Sequence, residues 1–178
     1  CLYTQPAIPT DPGLWTLGPN MPSVGGLPMG CEDAPAAILP NGNVLMAGGE
    51  AMHSILNQVM PTVLCEYYNF QPLQLGTFST APALNKGRLH ATARPATGGA
   101  VVMGGQDGVG ELASIEILDM VQGKWTVGTT NTGMFMMTVP RVGAASVRLA
   151  NGDIGVIGGY SPGGIASLLG FDPGTSLE

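Results

Sequence analysis

Few side chains in this sequence could take part in catalysis or metal binding. The chain holds two histidines, His53 and His90, and three cysteines, Cys1, Cys31 and Cys65. No Cys-x-x-Cys pair or Cys/His cluster occurs, so the sequence predicts no structural zinc site. Because the number of cysteines is odd, they cannot all pair within the chain. Cys31 could pair with Cys65, but the simpler interpretation makes Cys65 a small buried apolar residue.

The acidic residues offer no better catalytic set. Glu32 and Asp33 are adjacent, and adjacent side chains in an extended segment point to opposite sides. They form a poor acid–base pair and are better suited to capping a turn or to pairing with an arginine. The sequence patterns of serine hydrolases, zinc proteases and P-loop proteins do not occur. The sequence therefore predicts no catalytic residue, no metal ligand and no cofactor.

A segment that occurs three times organises the chain. Each copy has an apolar run, a turn pair, a second apolar run and a Gly-Gly pair. The Gly-Gly pairs lie at 48–49, 104–105 and 158–159, so the periods are 56 (104 − 48) and 54 (158 − 104) residues. A hairpin repeat of about fifty residues is typical of β-propeller blades. The turn pairs, which predict hairpins with type I′ turns, are Asn41-Gly42, Gly98-Gly99 and Asn151-Gly152.

Each copy predicts strands A and B around the turn and a strand C after a loop. Strand B is almost wholly apolar, which indicates burial on both faces. Strand D carries an aromatic residue and precedes the next copy. The predicted B strands are Val44–Met46, Val101–Met103 and Ile154–Ile157, the C strands are Val63–Tyr68, Ser114–Asp119 and Leu168–Pro173, and the D-strand aromatics are Trp15, Phe78 and Trp125.

This pattern resembles the kelch motif, which is also found in galactose-oxidase-like β-propellers. The motif has an arginine before strand A, Gly-Gly after B, an aromatic-Asp or similar pair closing C, and a tryptophan on D. In the first copy, Glu32-Asp33 stand where the arginine would be expected. The matching residues are Arg88 and Arg141, the three Gly-Gly pairs, Asp119 and Phe171-Asp172, and Trp15 and Trp125.

The resemblance implies an all-β, kelch-type β-propeller with about three four-stranded antiparallel blades. We expect one partial domain over 1–178, with repeats at approximately 15–70, 71–119 and 120–173. Propellers usually have four to eight blades, and a three-blade arc would expose two apolar flanks. We therefore expect further blades from a longer chain. The alternative is a second copy that completes a six-blade ring.

Composition limits the classes of partner. Charged residues make up 10% of the chain, against about 25% in typical domains. The net charge is −6 and the six basic residues are scattered, which disfavours nucleic-acid binding. No stretch approaches the roughly 20 apolar residues of a transmembrane segment. A surface of uncharged polar groups favours an extracellular or cell-surface location.

We expect any binding site on one face of the propeller. Strands B and D run in the same direction, so the B–C and D–A loops emerge together, and long loops on a rigid scaffold often bind ligands. Because the arginines recur with the blades, they are predicted to make structural contacts. His90 is predicted to be packed, and His53 is the least explained residue. The candidate ligand-binding residues are Glu32, Asp33, Glu50, His53, Asn57, Arg88, His90, Gln106, Asp107, Arg141 and Tyr160.

The sequence predicts a non-catalytic recognition module that presents these loops to a protein or carbohydrate ligand. The alternative is a fragment of a copper-radical oxidase, because galactose and glyoxal oxidases are similar propellers. In that family a cysteine before one blade is bonded to a tyrosine of the next blade. Cys31 is similarly placed, but the partner position falls near Leu89-His90 and holds no tyrosine. A second alternative is a purely structural surface or assembly module.

Overall fold

A computed structural model shows an all-β fold. It describes residues 2–4, 14–21, 23–24, 27–28, 32–53, 58–72, 74–130, 133–134 and 136–161. Within these ranges no helix is long and apolar enough to cross a membrane. The described strands, in chain order, are β1 (Leu2–Thr4), β2 (Leu14–Thr16), β3 (Ser23–Val24), β4 (Leu27–Pro28), β5 (Ala36–Ile38), β6 (Val44–Ala47), β7 (Glu50–His53), β8 (Gln58–Pro61), β9 (Cys65–Asn69), β10 (Thr77–Ala81), β11 (Thr92–Ala96), β12 (Gly99–Met103), β13 (Ile115–Asp119), β14 (Lys124–Val127), β15 (Thr129–Thr130), β16 (Gly133–Met134), β17 (Ala145–Arg148) and β18 (Ile154–Ile157).

Two four-stranded antiparallel sheets form the centre of the structure. The first, blade 1, has the order β10-β9-β6-β5, and the second, blade 2, has the order β11-β12-β13-β14. Both contain the predicted strands A to D in sequence, and strand D pairs with the C strand of the copy that precedes it. Strands β17 and β18 are the A–B hairpin of the third copy. Its predicted C strand, Leu168–Pro173, lies outside the described residues.

The A–B hairpins form as predicted, but the type I′ turn is wrong. A type I′ turn needs positive φ at both central residues, and among the described non-glycine residues only Asp33 and His90 have positive φ. In the first hairpin Gly42 alone is left-handed, with φ 85°, and its N–H donates to the Leu39 carbonyl at 2.9 Å. The Asn41 side chain accepts a hydrogen bond from the Asn43 N–H. The loop is therefore one residue longer than expected, and glycine supplies its only left-handed position.

Apolar side chains pack between the blades. β12 is buried along its whole length, because β11 of the same sheet lies between β5 of blade 1 and β17 of the third copy. The expected burial on both faces is therefore confirmed for β12, whereas β6 alternates between buried and half-buried residues. Trp125 on β14 lies in the core shared with blade 1, and its Nε1–H donates to the Pro82 carbonyl at 2.8 Å. The aromatic residue of strand D thus packs against the preceding blade.

The backbone that leads into the next blade packs directly against the Gly-Gly pairs. The Gly49 N–H donates to the Arg88 carbonyl, and the Gly105 N–H donates to the Arg141 carbonyl, both at 2.7 Å. A Cβ atom on Gly104 would lie 2.6 Å from the Arg141 carbonyl oxygen. Glycine is therefore required both for positive φ and for the close approach of a second backbone.

We predict that Gly104→Ala destabilises the protein more than Gly98→Ala. Both glycines have positive φ, but a Cβ on Gly98 would have no neighbour within 4 Å. The left-handed conformation should cost either variant about 1–2 kcal/mol, and crowding should add about 1–3 kcal/mol at position 104 alone. Urea unfolding of the two variants measures the difference. Equal losses would show that the blades do not approach each other at this point.

Candidate functional site

The D–A and B–C loops meet at one end of the blades, as the strand directions predict. In all three copies, a residue three or four positions before strand A forms a backbone bridge with the residue that follows Gly-Gly. The bridged pairs are Glu32 with Glu50, Leu89 with Gln106, and Val142 with Tyr160. We call the surface made by these two sets of loops the loop face.

The three bridges also align the copies residue by residue. Arg88 precedes its bridge residue and is therefore equivalent to Arg141 and, in the first copy, to Cys31. Cys31 lies outside the described residues. Two positions later, Asp33, His90 and Gly143 are equivalent, and all three have positive φ.

Arg88 is fully buried and connects two blades. Its backbone carbonyl contacts Gly49 of blade 1, while its guanidinium reaches into blade 2. There it donates to the Gly104 carbonyl at 2.9 Å, to the Ser114 carbonyl at 3.1 Å and to the Ser114 hydroxyl. It also forms a buried ion pair with Glu116, at 2.7 Å between nitrogen and carboxylate oxygen.

Glu116 accepts hydrogen bonds from the same loop. One carboxylate oxygen accepts from the Asn85 N–H at 2.7 Å and from the Asn85 side chain, and the other accepts from the Lys86 N–H at 3.1 Å. Every oxygen of this buried carboxylate is therefore paired, which offsets the free energy of removing the charge from water. The contact fixes the D–A loop against strand C of blade 2.

Arg88 and Arg141 are thus structural contacts, as the sequence predicted from their recurrence. Arg141 is also buried, and its guanidinium donates to the Gly158 carbonyl at 2.7 Å, a contact equivalent to that of Arg88 with Gly104. Their burial removes both candidates from the exposed part of the loop face.

Glu66 occupies the position of Glu116 in blade 1, but its surroundings differ. Each glutamate is the second residue of strand C, and each is fully buried. Among the residues that the structure describes, neither carboxylate oxygen of Glu66 has a hydrogen-bond partner. Burial raises the pKa of Glu66 above its usual value of 4.5 because the neutral form needs less solvation. In blade 2 the residue that pairs with Glu116 is Arg88. At the equivalent position the first copy has Cys31 instead of arginine.

Asp107 fixes the B–C loop of blade 2. Its Oδ1 accepts hydrogen bonds from the Val109 N–H at 2.7 Å and the Gly110 N–H at 2.8 Å, and its Oδ2 lies 2.7 Å from the Lys86 ammonium. The hydrogen bond from Lys86 lowers the pKa of Asp107 from 3.8 to about 2, and the two N–H groups act in the same direction against the effect of burial. The ion pair thereby joins the B–C loop to the D–A loop.

Asp33, Glu50 and His90 come together on the loop face, although they are far apart in the sequence. One possible metal-ligand atom from each lies within 4.8 Å of the others. The His90 side chain is 38% exposed, so the expectation of a packed histidine is wrong. The backbone at His90 is left-handed, with φ 53°. The sequence does not reveal this cluster, because the backbone contacts that bring Asp33, Glu50 and His90 together join residues far apart in the chain.

The remaining candidates are distributed over the same face. Glu32 and Tyr160 are exposed and Gln106 is half-buried, each in its backbone bridge. His53 is the last residue of β7, and Asn57 lies outside the described residues. An apolar pocket of about 620 Å³, partly open to the surface, lies elsewhere, between blade 2 and the third copy, where Val101, Ile115 and Val156 line it.

Comparison with known families finds a kelch motif at residues 98–132. The matched segment begins at the A–B turn of blade 2 and includes β12, β13 and β14. The chain therefore contains a kelch repeat, and its two complete sheets are blades of a kelch-type β-propeller, as the resemblance implied. No curated protein matches the chain.

We predict opposite effects for the same substitution at the two buried glutamates. Glu116→Met leaves the buried Arg88 charge unpaired and should cost about 3–5 kcal/mol. Glu66→Met removes an unpaired carboxyl group and should stabilise the protein by about 1–3 kcal/mol at pH 7. Urea unfolding of both variants tests this.

The gain from Glu66→Met should also depend on pH. Because the pKa of Glu66 is raised in the folded state, the wild-type protein loses stability as the pH rises from 4.5 through the folded-state pKa. The gain should therefore be larger at pH 8 than at pH 4. A loss of stability in both variants, or a gain that does not change with pH, would contradict this account.

We predict that the Lys86–Asp107 ion pair contributes stability only above an acidic threshold. Because the pKa of Asp107 is lowered in the folded state, the full contribution is present above about pH 3.8. It is lost as the pH falls towards 2. Asp107→Asn should cost less than about 1 kcal/mol at pH 7 and almost nothing near pH 2. The control is Asp119→Asn, because Asp119 accepts equivalent hydrogen bonds from Val121 and Gln122 but forms no ion pair with its cross-strand neighbour Lys124 or with any other described residue. A pH-independent cost for Asp107→Asn would contradict the prediction.

Proposed function

We propose that this chain is a propeller module that binds another protein through its loop face. The observation that carries the proposal is Val109, at the tip of the B–C loop of blade 2. Its side chain is 97% exposed, although its backbone is held by Asp107. A fully exposed apolar side chain on a fixed turn is suited to insertion into a pocket of a partner.

The support for this turn extends into the buried core. Asp107 is paired with Lys86, and the backbone N–H of Lys86 donates to the buried Glu116 carboxylate. The turn therefore loses little conformational freedom on binding, and preorganisation of this kind increases affinity. Tyr160, which is 45% exposed in the equivalent loop of the third copy, adds a second amphipathic group to the same face.

The kelch repeat at 98–132 supports the proposal, because the resemblance to kelch propellers implies a recognition module. Glu50 and Gln106 lie on the same loop face, and a polar rim around an apolar anchor is usual in protein–protein interfaces. A carbohydrate ligand on the same face and a copper-radical oxidase remain the rival proposals. We also propose that further blades or a second copy complete the ring.

We predict that Val109→Arg abolishes binding of the protein partner and Val121→Arg does not. The two valines are matched: Val121 is 93% exposed, and its turn is held by Asp119 as that of Val109 is held by Asp107. Val121 lies in the C–D turn, at the opposite ends of the strands. Affinity purification with quantitative mass spectrometry on the native protein and both variants gives the measurement.

Selective loss of the same proteins with Val109→Arg would support the proposal, and retention of all of them would contradict it. A glycan array with the same two variants tests the carbohydrate alternative. Selective loss of glycan binding with Val109→Arg would show that the ligand is a carbohydrate and not a protein. Stoichiometric copper in the native protein would favour the oxidase instead.

A further inference from the structure

Asp33, Glu50 and His90 form a group of three possible metal ligands that the proposed protein binding does not use. They come from two blades: Asp33 and Glu50 belong to the first copy, and His90 lies at the start of the second. The ligand atoms all lie within 4.8 Å of one another. All three side chains are at least partly accessible from the loop face, so a dissolved ion can reach them.

The charges of this group are not balanced by the protein. Two carboxylates within 5 Å repel each other. Asp33 faces His90 at 3.5 Å between Oδ2 and Nδ1, which is longer than a good hydrogen bond. In the described part of the chain, neither Asp33 nor Glu50 forms an ion pair with lysine or arginine, and Lys86 is paired with Asp107. A divalent cation would supply the missing positive charge.

The backbone conformations of Asp33 and His90 are also unusual. Asp33 and His90 have φ of 54° and 53°, and the equivalent residue of the third copy is Gly143. Glycine adopts this conformation at no steric cost, whereas other residues are strained. The backbone therefore directs an aspartate and a histidine towards each other from two positions where glycine would be the more stable choice.

The donor atoms, and the distance between Asp33 and His90, fit a transition-metal ion. Zinc binds imidazole nitrogen at about 2.0–2.1 Å and carboxylate oxygen at about 2.0–2.2 Å, so two ligands of a tetrahedral site lie about 3.3 Å apart. The observed 3.5 Å between Asp33 and His90 is close to this value. Imidazole favours zinc and its neighbours over magnesium and calcium.

We propose that Asp33, Glu50 and His90 bind one divalent transition-metal cation of the zinc type, which joins the first two copies at the loop face. Three protein ligands leave one coordination position to water or to an oxygen donor from outside the chain. The site goes beyond the proposed protein binding and does not depend on it. It contains no tyrosine and differs in every ligand type but histidine from the copper site that the oxidase alternative requires.

Isothermal titration of the chelator-treated native protein with Zn²⁺ tests the proposal. We expect one Zn²⁺ per chain, and we expect His90→Gly, Asp33→Gly and Glu50→Gln each to weaken binding by more than about 100-fold, since even outer-shell contacts account for about 10- to 100-fold. Glycine at position 33 or 90 relieves the left-handed strain. The metal-free glycine variants should therefore melt no lower than the wild type, so a loss of binding does not reflect unfolding.

His53→Gln is the matched control, because His53 is the other histidine of the chain. It should bind Zn²⁺ like the wild type, and Ca²⁺ should bind more weakly than Zn²⁺ to both. Four results would each overturn the proposal: no Zn²⁺ binding to the wild-type protein at micromolar concentrations, undiminished binding by His90→Gly, an equal loss in His53→Gln, or Ca²⁺ binding as tight as that of Zn²⁺.

Discussion

The Arg88 guanidinium is fully buried, and a buried charge costs free energy unless it is paired with an opposite charge. Glu116 and the carbonyls of Gly104 and Ser114 supply the acceptors in blade 2, while the Arg88 carbonyl accepts the Gly49 N–H of blade 1. One residue therefore fixes the end of one blade against the start of the next. The Gly-Gly pair follows from the same constraint, because any larger residue would collide with the arginine backbone.

This contact also determines which parts of the loop face are fixed. Glu116 accepts the Lys86 N–H, the Lys86 side chain pairs with Asp107, and Asp107 holds the turn that carries Val109. An exposed apolar side chain is thereby connected to the buried core through three polar contacts. The first copy departs from this arrangement: Glu66 is buried with no hydrogen-bond partner among the described residues, and Asp33 lies beside His90 of the next copy. The copies thus share the same backbone bridges but carry different side chains at equivalent positions.

The residues that hold the blades together differ from the residues that are exposed on the loop face. The residues that make it a propeller, namely the arginines, the Gly-Gly pairs and Trp125, are buried between blades. The groups that can meet a partner or an ion are Val109, Tyr160 and the Asp33–Glu50–His90 cluster, which occupy loop positions that the kelch pattern leaves open. A kelch repeat therefore defines the scaffold, and function has to be argued from the loops that the scaffold holds.

The sequence by itself determined the repeat, the strand order and the structural role of Arg88 and Arg141, because these depend on periodicity and on local turn residues. It did not determine the turn type, since Gly42 alone takes the left-handed position. Nor did it indicate that Glu66 finds no hydrogen-bond partner among the described residues, or that His90 meets Asp33 and Glu50. Those features depend on contacts between residues about 40 to 57 positions apart, which only the packing of one blade against the next brings together. Local pattern specifies the blade, and tertiary structure decides which side chains of neighbouring blades share a surface.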